Sequence, residues 1–172
     1  MGQRTIRRAK PGDAAIVAGI HVRGWQWGYR GILSEEFLAS LSIAERERKW
    51  REQLAPDYKP RTWLVEEDAR PLAFLTCGPA RDDDVSEATG EVYALYQEEF
   101  ASGTGVARLL MAHALEDLRA EGARVAILWV LDRNLTARRF YEIAGWREDG
   151  TTKTSQAREG VRCEVRYARS LV

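Results

Sequence analysis

The chain has 172 residues, 45% of them hydrophobic and 30% charged, and its 26 Lys and Arg balance 26 Asp and Glu. That length carries one core over residues 1–172 without disulfide or metal support, the mixed charges exclude a disordered polyelectrolyte, and the zero balance leaves no global footprint for nucleic acid. Only Cys77 and Cys163 are present, far apart and without histidine neighbours, so neither a disulfide framework nor a metal site is expected.

The start, Met1 to Ile6, lacks the apolar run of an export signal, and Ile6 stands where a myristoylation signal needs Ser or Thr. No apolar stretch approaches the roughly 20 residues that cross a bilayer, so a cytoplasmic location without a membrane partner is the expectation. Thr5 to Arg8 reads as a first strand. Pro11-Gly12-Asp13 follows as a turn whose Asp13 is suited to cap a helix running towards Tyr29, with Val17, Ile20 and Trp27 at helical spacing. A second helix starts at Ser34 and closes at Pro56, so two helices precede the main sheet.

Thr62 to Glu66 and Leu72 to Cys77 read as paired strands, followed by a polar loop whose Asp82-Asp83-Asp84 run is expected to be hydrated. Glu91 to Tyr96 is a further strand, on which strict alternation places Glu91, Tyr93 and Leu95 on one face; Glu98 and Glu99 beyond it read as solvated. Val106, Leu109, Leu110, Ala114 and Leu118 then mark an amphipathic helix closed by Gly122, and Val125 to Leu131 an unbroken apolar strand. Strand, helix and apolar strand in this order make a βαβ unit. Asn134 caps a last helix through Tyr141 to Gly145, and two strands around Trp146 and Val161 to Tyr167 end the chain.

The segment Ser102-Gly103-Thr104-Gly105-Val106-Ala107 lies between a strand and a helix N-terminus. The first N–H groups of a helix lack internal partners and carry partial positive charge, and small residues let phosphate oxygens approach them. A dinucleotide fingerprint would follow the first strand and carry a third glycine, which Arg108 replaces here; the GxxxxGK phosphate loop is absent.

Leu95-Tyr96, this loop and Leu109-Leu110 together resemble the acetyl-CoA motif of the Gcn5-related N-acetyltransferase superfamily, Q/R-x-x-G-x-G/A, with Gly105 and Ala107 at its last two positions. Ser102 departs from the usual Gln or Arg. Asn134, Ala137, Phe140-Tyr141-Glu142 and Gly145-Trp146 resemble the superfamily's second motif, N-x-x-A-x-x-F-Y-E-x-x-G-F. Tyr29-Arg30-Gly31-Ile32-Leu33, with Leu38 and Leu41, is similar to the early helical pair of many bacterial members.

The resemblance implies an α/β (α+β) fold with a mixed, strongly twisted sheet of about six to seven strands, about four helices and splayed central parallel strands. It also implies acetyl-CoA as co-substrate, with Leu95, Tyr96, Gln97, Ser102 to Ala107, Asn134, Ala137 and Tyr141 holding it. Tyr141 is implied as the acid that protonates the departing thiolate and Glu91 as the base, while a strand N–H near Leu95 polarises the carbonyl. Trp25, Trp27, Tyr29 and Tyr93 are candidates to wall an acceptor pocket; His21 and His113 read as helix residues outside the chemistry. The expected reaction is acetyl transfer to the primary amine of a small molecule by direct attack on the thioester. The alternatives are acetylation of a protein N-terminus or lysine, and a non-catalytic acyl-CoA-binding module. The resemblance further suggests a homodimer.

Overall fold

The computed structural model describes residues 2–172; Met1, the first residue of the start segment read above, lies outside the described residues. The elements run β1 (Arg4–Arg8), α1 (Ala14–Gly28), α2 (Glu35–Ala39), α3 (Ile43–Gln53), β2 (Arg61–Glu67), β3 (Arg70–Pro79), β4 (Thr89–Gln97), α4 (Val106–Ala120), β5 (Val125–Leu131), α5 (Leu135–Ile143), β6 (Arg147–Ala157) and β7 (Gly160–Ser170). Seven strands form one sheet in the order β1-β2-β3-β4-β5-β7-β6, and only the β4–β5 pair is parallel.

Two apolar clusters coat the two faces of this sheet. On one face Leu110, Ala114 and Leu118 of α4 pack with Val65, Leu75, Val92 and Leu128, and α5 adds Ala137, Phe140 and Tyr141 at the margin. On the other, Val17 and Ile20 of α1 and Trp50 of α3 pack on Leu64 and Phe74. Each leucine fully buried in these layers contributes about 1.5–3 kcal/mol relative to exposure. Gly24 lets α1 cross β4 closely: a Cβ there would stand 3.1 Å from Tyr96 Cβ and 3.5 Å from the Gln97 carbonyl oxygen.

The helical segment after α1 divides into two helices rather than one. Ser34 Oγ accepts from Phe37 N at 3.2 Å and Ser42 Oγ from Glu45 N at 3.2 Å, so each serine caps a separate start. Asn134 caps α5 as expected, with Oδ1 accepting from Ala137 N at 3.2 Å. Asp13 does not cap α1; Arg7 takes its carboxylate at 2.8 Å through both terminal nitrogens, and the Lys10 N–H takes it at 2.8 Å.

Two further expectations are corrected by ion pairing. Glu98 is buried beneath Arg23, whose Nε lies 3.1 and 3.0 Å from its two oxygens, whereas Glu99 is exposed. Asp82 and Asp84 are not a free hydrated tip: Arg166 on β7 donates to them at 3.0 and 2.7 Å, and the Trp129 indole donates to Asp82 at 2.9 Å. A buried arginine needs counter-charge, and the acidic loop supplies it.

Candidate active site

The site begins with a defect in β4. Thr76 pairs with Ala94 and Cys77 with Val92, leaving Tyr93 as an extra, unpaired residue. A bulge of this kind bends its strand. β4 accordingly pairs with β5 only from Thr89↔Val125 to Val92↔Leu128, and beyond that point the two parallel strands separate. The bulge also breaks the alternation expected from the sequence: Leu95 packs on the α4 side with Val92, while Ala94 and Tyr96 pack against the α1 side.

The separation opens a cleft of about 1310 Å3. With one exception, every site residue named from the sequence lines it: Trp25, Trp27, Tyr29, Glu91, Tyr93, Leu95, Tyr96, Gln97, Ser102, Gly103, Thr104, Gly105, Ala107, Asn134, Ala137 and Tyr141. The exception is Val106, whose side chain is fully buried in the α4 cluster, so that only its backbone can serve the cleft.

The loop before α4 has the properties an anionic cofactor requires. Gly103 and Gly105 adopt φ of 76° and 85°, and a Cβ at either would meet open space, so their bareness serves the backbone conformation and access rather than packing. Unlike α2, α3 and α5, helix α4 has no side-chain cap. The N–H groups of Val106, Ala107 and Arg108 bond no acceptor among the described residues, and the first to find one is Leu109 N, at 3.0 Å from Gly105 O. The loop is nevertheless fixed, since Arg4 Nη1 donates to Thr104 O at 2.8 Å and Thr104 Oγ1 to Ala101 O at 2.7 Å. Three unspent N–H donors at a positive helix end fit a pyrophosphate.

Tyr141 lines the cleft, half-buried, with its ring edge-on to Trp146 and tilted against Tyr167. Burial, with Tyr96 nearby, pushes its phenol well above the ordinary value of 10, so it remains a proton donor at any physiological pH. Glu91 is almost fully buried at the narrow end, on the sheet face that carries α1, and is clasped by Arg81: the backbone N donates at 3.0 Å, Nε at 3.1 Å and Nη2 at 2.5 Å. Arg81 in turn lies over the Tyr93 ring at 4.2 Å, and the Tyr93 hydroxyl donates to the Pro79 carbonyl.

The α1 wall is aromatic. Tyr29 and Tyr96 share a hydroxyl contact of 3.2 Å, Trp25 meets Tyr29 edge-on at 5.0 Å, and Trp27 is fastened by its indole N–H to Gln97 O at 2.9 Å. His21, not assigned to the site from the sequence, lines the cleft and stacks on Tyr96 at 4.8 Å. Its Nδ1 accepts from Trp50 Nε1 at 3.0 Å, and burial together with the Arg46 charge pushes its pKa down to about 3. Arg46, Arg81 and Arg162 were also missed. The four-residue spacing of His21 and Trp25 was a legible signal for one helix face, but nothing in the charged run of α3 distinguishes Arg46. His113 stays away from the cleft, edge-on to Trp63 at 4.3 Å. Among the described residues no three His, Cys, Asp or Glu cluster as metal ligands, and no helix is long and apolar enough to cross a membrane.

The sequence and the fold that form this cleft both have counterparts in known proteins. Residues 26–146 match the model of the Acetyltransferase (GNAT) family. The uncharacterized N-acetyltransferase YuaI of Bacillus subtilis is 31% identical over 130 residues, covering 76% of this chain and 73% of that protein. A probable N-acetyltransferase of Mycobacterium tuberculosis is 30% identical over 162 residues, 91% of this chain and 87% of that one. Among solved structures, a Gcn5-related N-acetyltransferase from Rhodopseudomonas palustris superposes with a TM-score of 0.78 at 20% identity, over 99% of this chain and 97% of that one. The PaiA N-acetyltransferase of Thermoplasma acidophilum, solved in complex with coenzyme A, gives 0.73 at 17%, over 98% and 99%. At these identities the structural likenesses establish the fold, while the family match and the two sequence relatives establish membership: the chain belongs to the acetyltransferase (GNAT) family and is an acetyl-CoA-dependent acyltransferase.

Proposed function

We propose that the protein acetylates the primary amine of a small molecule held against the α1 wall, with Tyr141 as general acid and Glu91 as base. The observation that carries this reading is the single cleft that joins the unspent N–H groups of α4, the protonated Tyr141 phenol and the aromatic α1 wall. Acetyl-CoA supplies the acetyl thioester; the new N–C bond replaces the C–S bond, the amine gives up one proton and the thiolate gains one. The backbone of Val106 to Arg108 and the side chains of Asn134 and Ala137 are assigned to the cofactor, with Leu95, Tyr96 and Gln97 along the open edge of β4.

Tyr141 donates to the departing sulfur, a task suited to a phenol that burial keeps protonated. Glu91 receives the amine's proton through water: Arg81 donates twice to Oε2 and once to Oε1, so Oε1 keeps a further lone pair for that water. An N–H near Leu95 polarises the thioester carbonyl, because β4 has left its parallel partner there. Trp27, whose indole N–H is committed to Gln97, contributes a ring surface, as does Tyr93 behind Arg81. Acetylation in the cytoplasm and assembly as a homodimer complete the reading. The test is calorimetric titration with acetyl-CoA and release of CoA across a panel of amines, with Gly105→Trp alongside. Wild-type binding that the folded variant loses, together with amine-dependent CoA release, is expected; release without an amine-dependent component counts against the reading.

A further inference from the structure

Arg46 is the one side chain of α3 that lines the cleft, and it is half-buried there. It makes no ion pair or hydrogen bond with any described residue; its guanidinium carbon stands 5.6 Å from the Trp25 ring centroid. Of the other arginines of the cleft, Arg81 is matched by Glu91, Arg162 by Glu159 and Arg30 by Glu99, while Arg108 and Arg133, on the α4 and α5 sides assigned to the cofactor, form no ion pair with a described residue. No carboxylate of α1, α2 or α3 lines the cleft, so the Arg46 charge is uncompensated on its own wall. Its field reaches inward, helping to hold His21 neutral and favouring the ionised form of Tyr96.

The Trp25 indole Nε1 is buried and completes no hydrogen bond, although it is near enough to the Tyr96 hydroxyl to favour that phenol's ionised form. An unspent buried N–H costs free energy unless something accepts from it. That N–H has no surface open to a ligand and is left to the nearby Tyr96 hydroxyl, so Trp25 offers the cleft its ring while Arg46 is the unmatched donor beside that ring-lined space.

We propose that Arg46 forms an anion subsite, and that the acceptor is a carboxylate-bearing amine such as an amino acid, its apolar body against Trp25, Tyr29 and Tyr96. This rests on the amine-acetylation reading above and narrows its substrate class. A guanidinium presents a planar fork that matches a carboxylate in two bonds, and the half-buried setting strengthens the pairing. The same uncompensated charge repels an acceptor that is only a cation, so the subsite selects against simple alkylamines and polyamines.

Two measurements test it, one of them independent of turnover. In the first, CoA release is followed with L-phenylalanine, L-methionine and γ-aminobutyrate, each against its carboxamide. Wild type is expected to favour an acid over its amide by about tenfold or more in kcat/KM, and Arg46→Gln to bring that ratio close to one. Arg46→Lys should restore part of the ratio. In the second, protein saturated with CoA is titrated with N-acetyl-L-phenylalanine and with N-acetyl-L-phenylalaninamide; the acid should bind more tightly, and Arg46→Gln should erase the difference. Amides used and bound as well as acids, or no acid-selective binding to folded wild type, overturns the subsite. Acid-selective binding that Arg46→Gln abolishes, without turnover of any amine, instead keeps the subsite and sinks the amine-acetylation reading.

Discussion

Tyr141 and Glu91 illustrate how differently two residues marked by sequence motifs fare once their surroundings are known. Tyr141 was legible from the F-Y-E segment, and desolvation raises its phenol pKa further above the ordinary value of 10, so the hydroxyl carries the proton that the proposed role needs. Tyr141→Phe removes one hydroxyl from a helix whose packing rests on the ring, so stability should change little while kcat falls about 10²–10⁴-fold, the range for losing a general acid. Steady-state kinetics with unchanged acetyl-CoA binding would identify the loss as chemical, and an unaltered kcat would remove Tyr141 from the mechanism. Glu91 was implied as the base by the resemblance, while its own surroundings in the sequence marked it only as a carboxylate at a strand entrance. Its clasp by Arg81 was not, because the two side chains meet through the pairing of β3 with β4 rather than through any local pattern.

At the level of elements, the cleft depends on the Tyr93 bulge and on the close crossing of α1 over β4. Gly24 sets that crossing, and competing magnitudes decide what its replacement does. Alanine gains about 1 kcal/mol of helix propensity but places a Cβ at a tight 3.1 Å from Tyr96, so Gly24→Ala should be close to neutral. Gly24→Leu has no such offset and should destabilise by about 1–3 kcal/mol, the cost of overpacking, while displacing Tyr96. Urea unfolding of the pair checks this; equal midpoints would mean that the crossing has slack. Element types were read well from periodicity. The division between α2 and α3 was not, since it rests on two serines that become caps only when the chain turns there.

The whole molecule stores a pH-dependent term in His21. Its folded pKa of about 3 lies below the ordinary 6.5, so the unfolded chain binds a proton that the native state refuses. Stability is therefore lost as pH falls below about 6.5, by up to ~1.4 kcal/mol per unit, until the folded value is reached. Asp13, Asp84 and Asp149, held below their ordinary 3.8 by arginines and backbone N–H groups, act only at the acid end of that window. His21→Asn should lower stability at neutral pH yet flatten its dependence between about 4.5 and 6.5. Thermal unfolding across that range provides the measurement, and an unchanged slope would assign the acid sensitivity elsewhere.

The sequence by itself determined the strands, the helices apart from the division between α2 and α3, the loop with its helix-start donors and the second motif, because each is written in local spacing: apolar period, glycine position, capping residue. Tertiary structure alone decided where β4 leaves β5, which carboxylates are buried under arginines, and that His21 and Arg46 face the same space as Tyr96. Those features arise between segments distant in the chain, where a bulge changes which face a side chain takes and a half-buried charge finds, or fails to find, its partner.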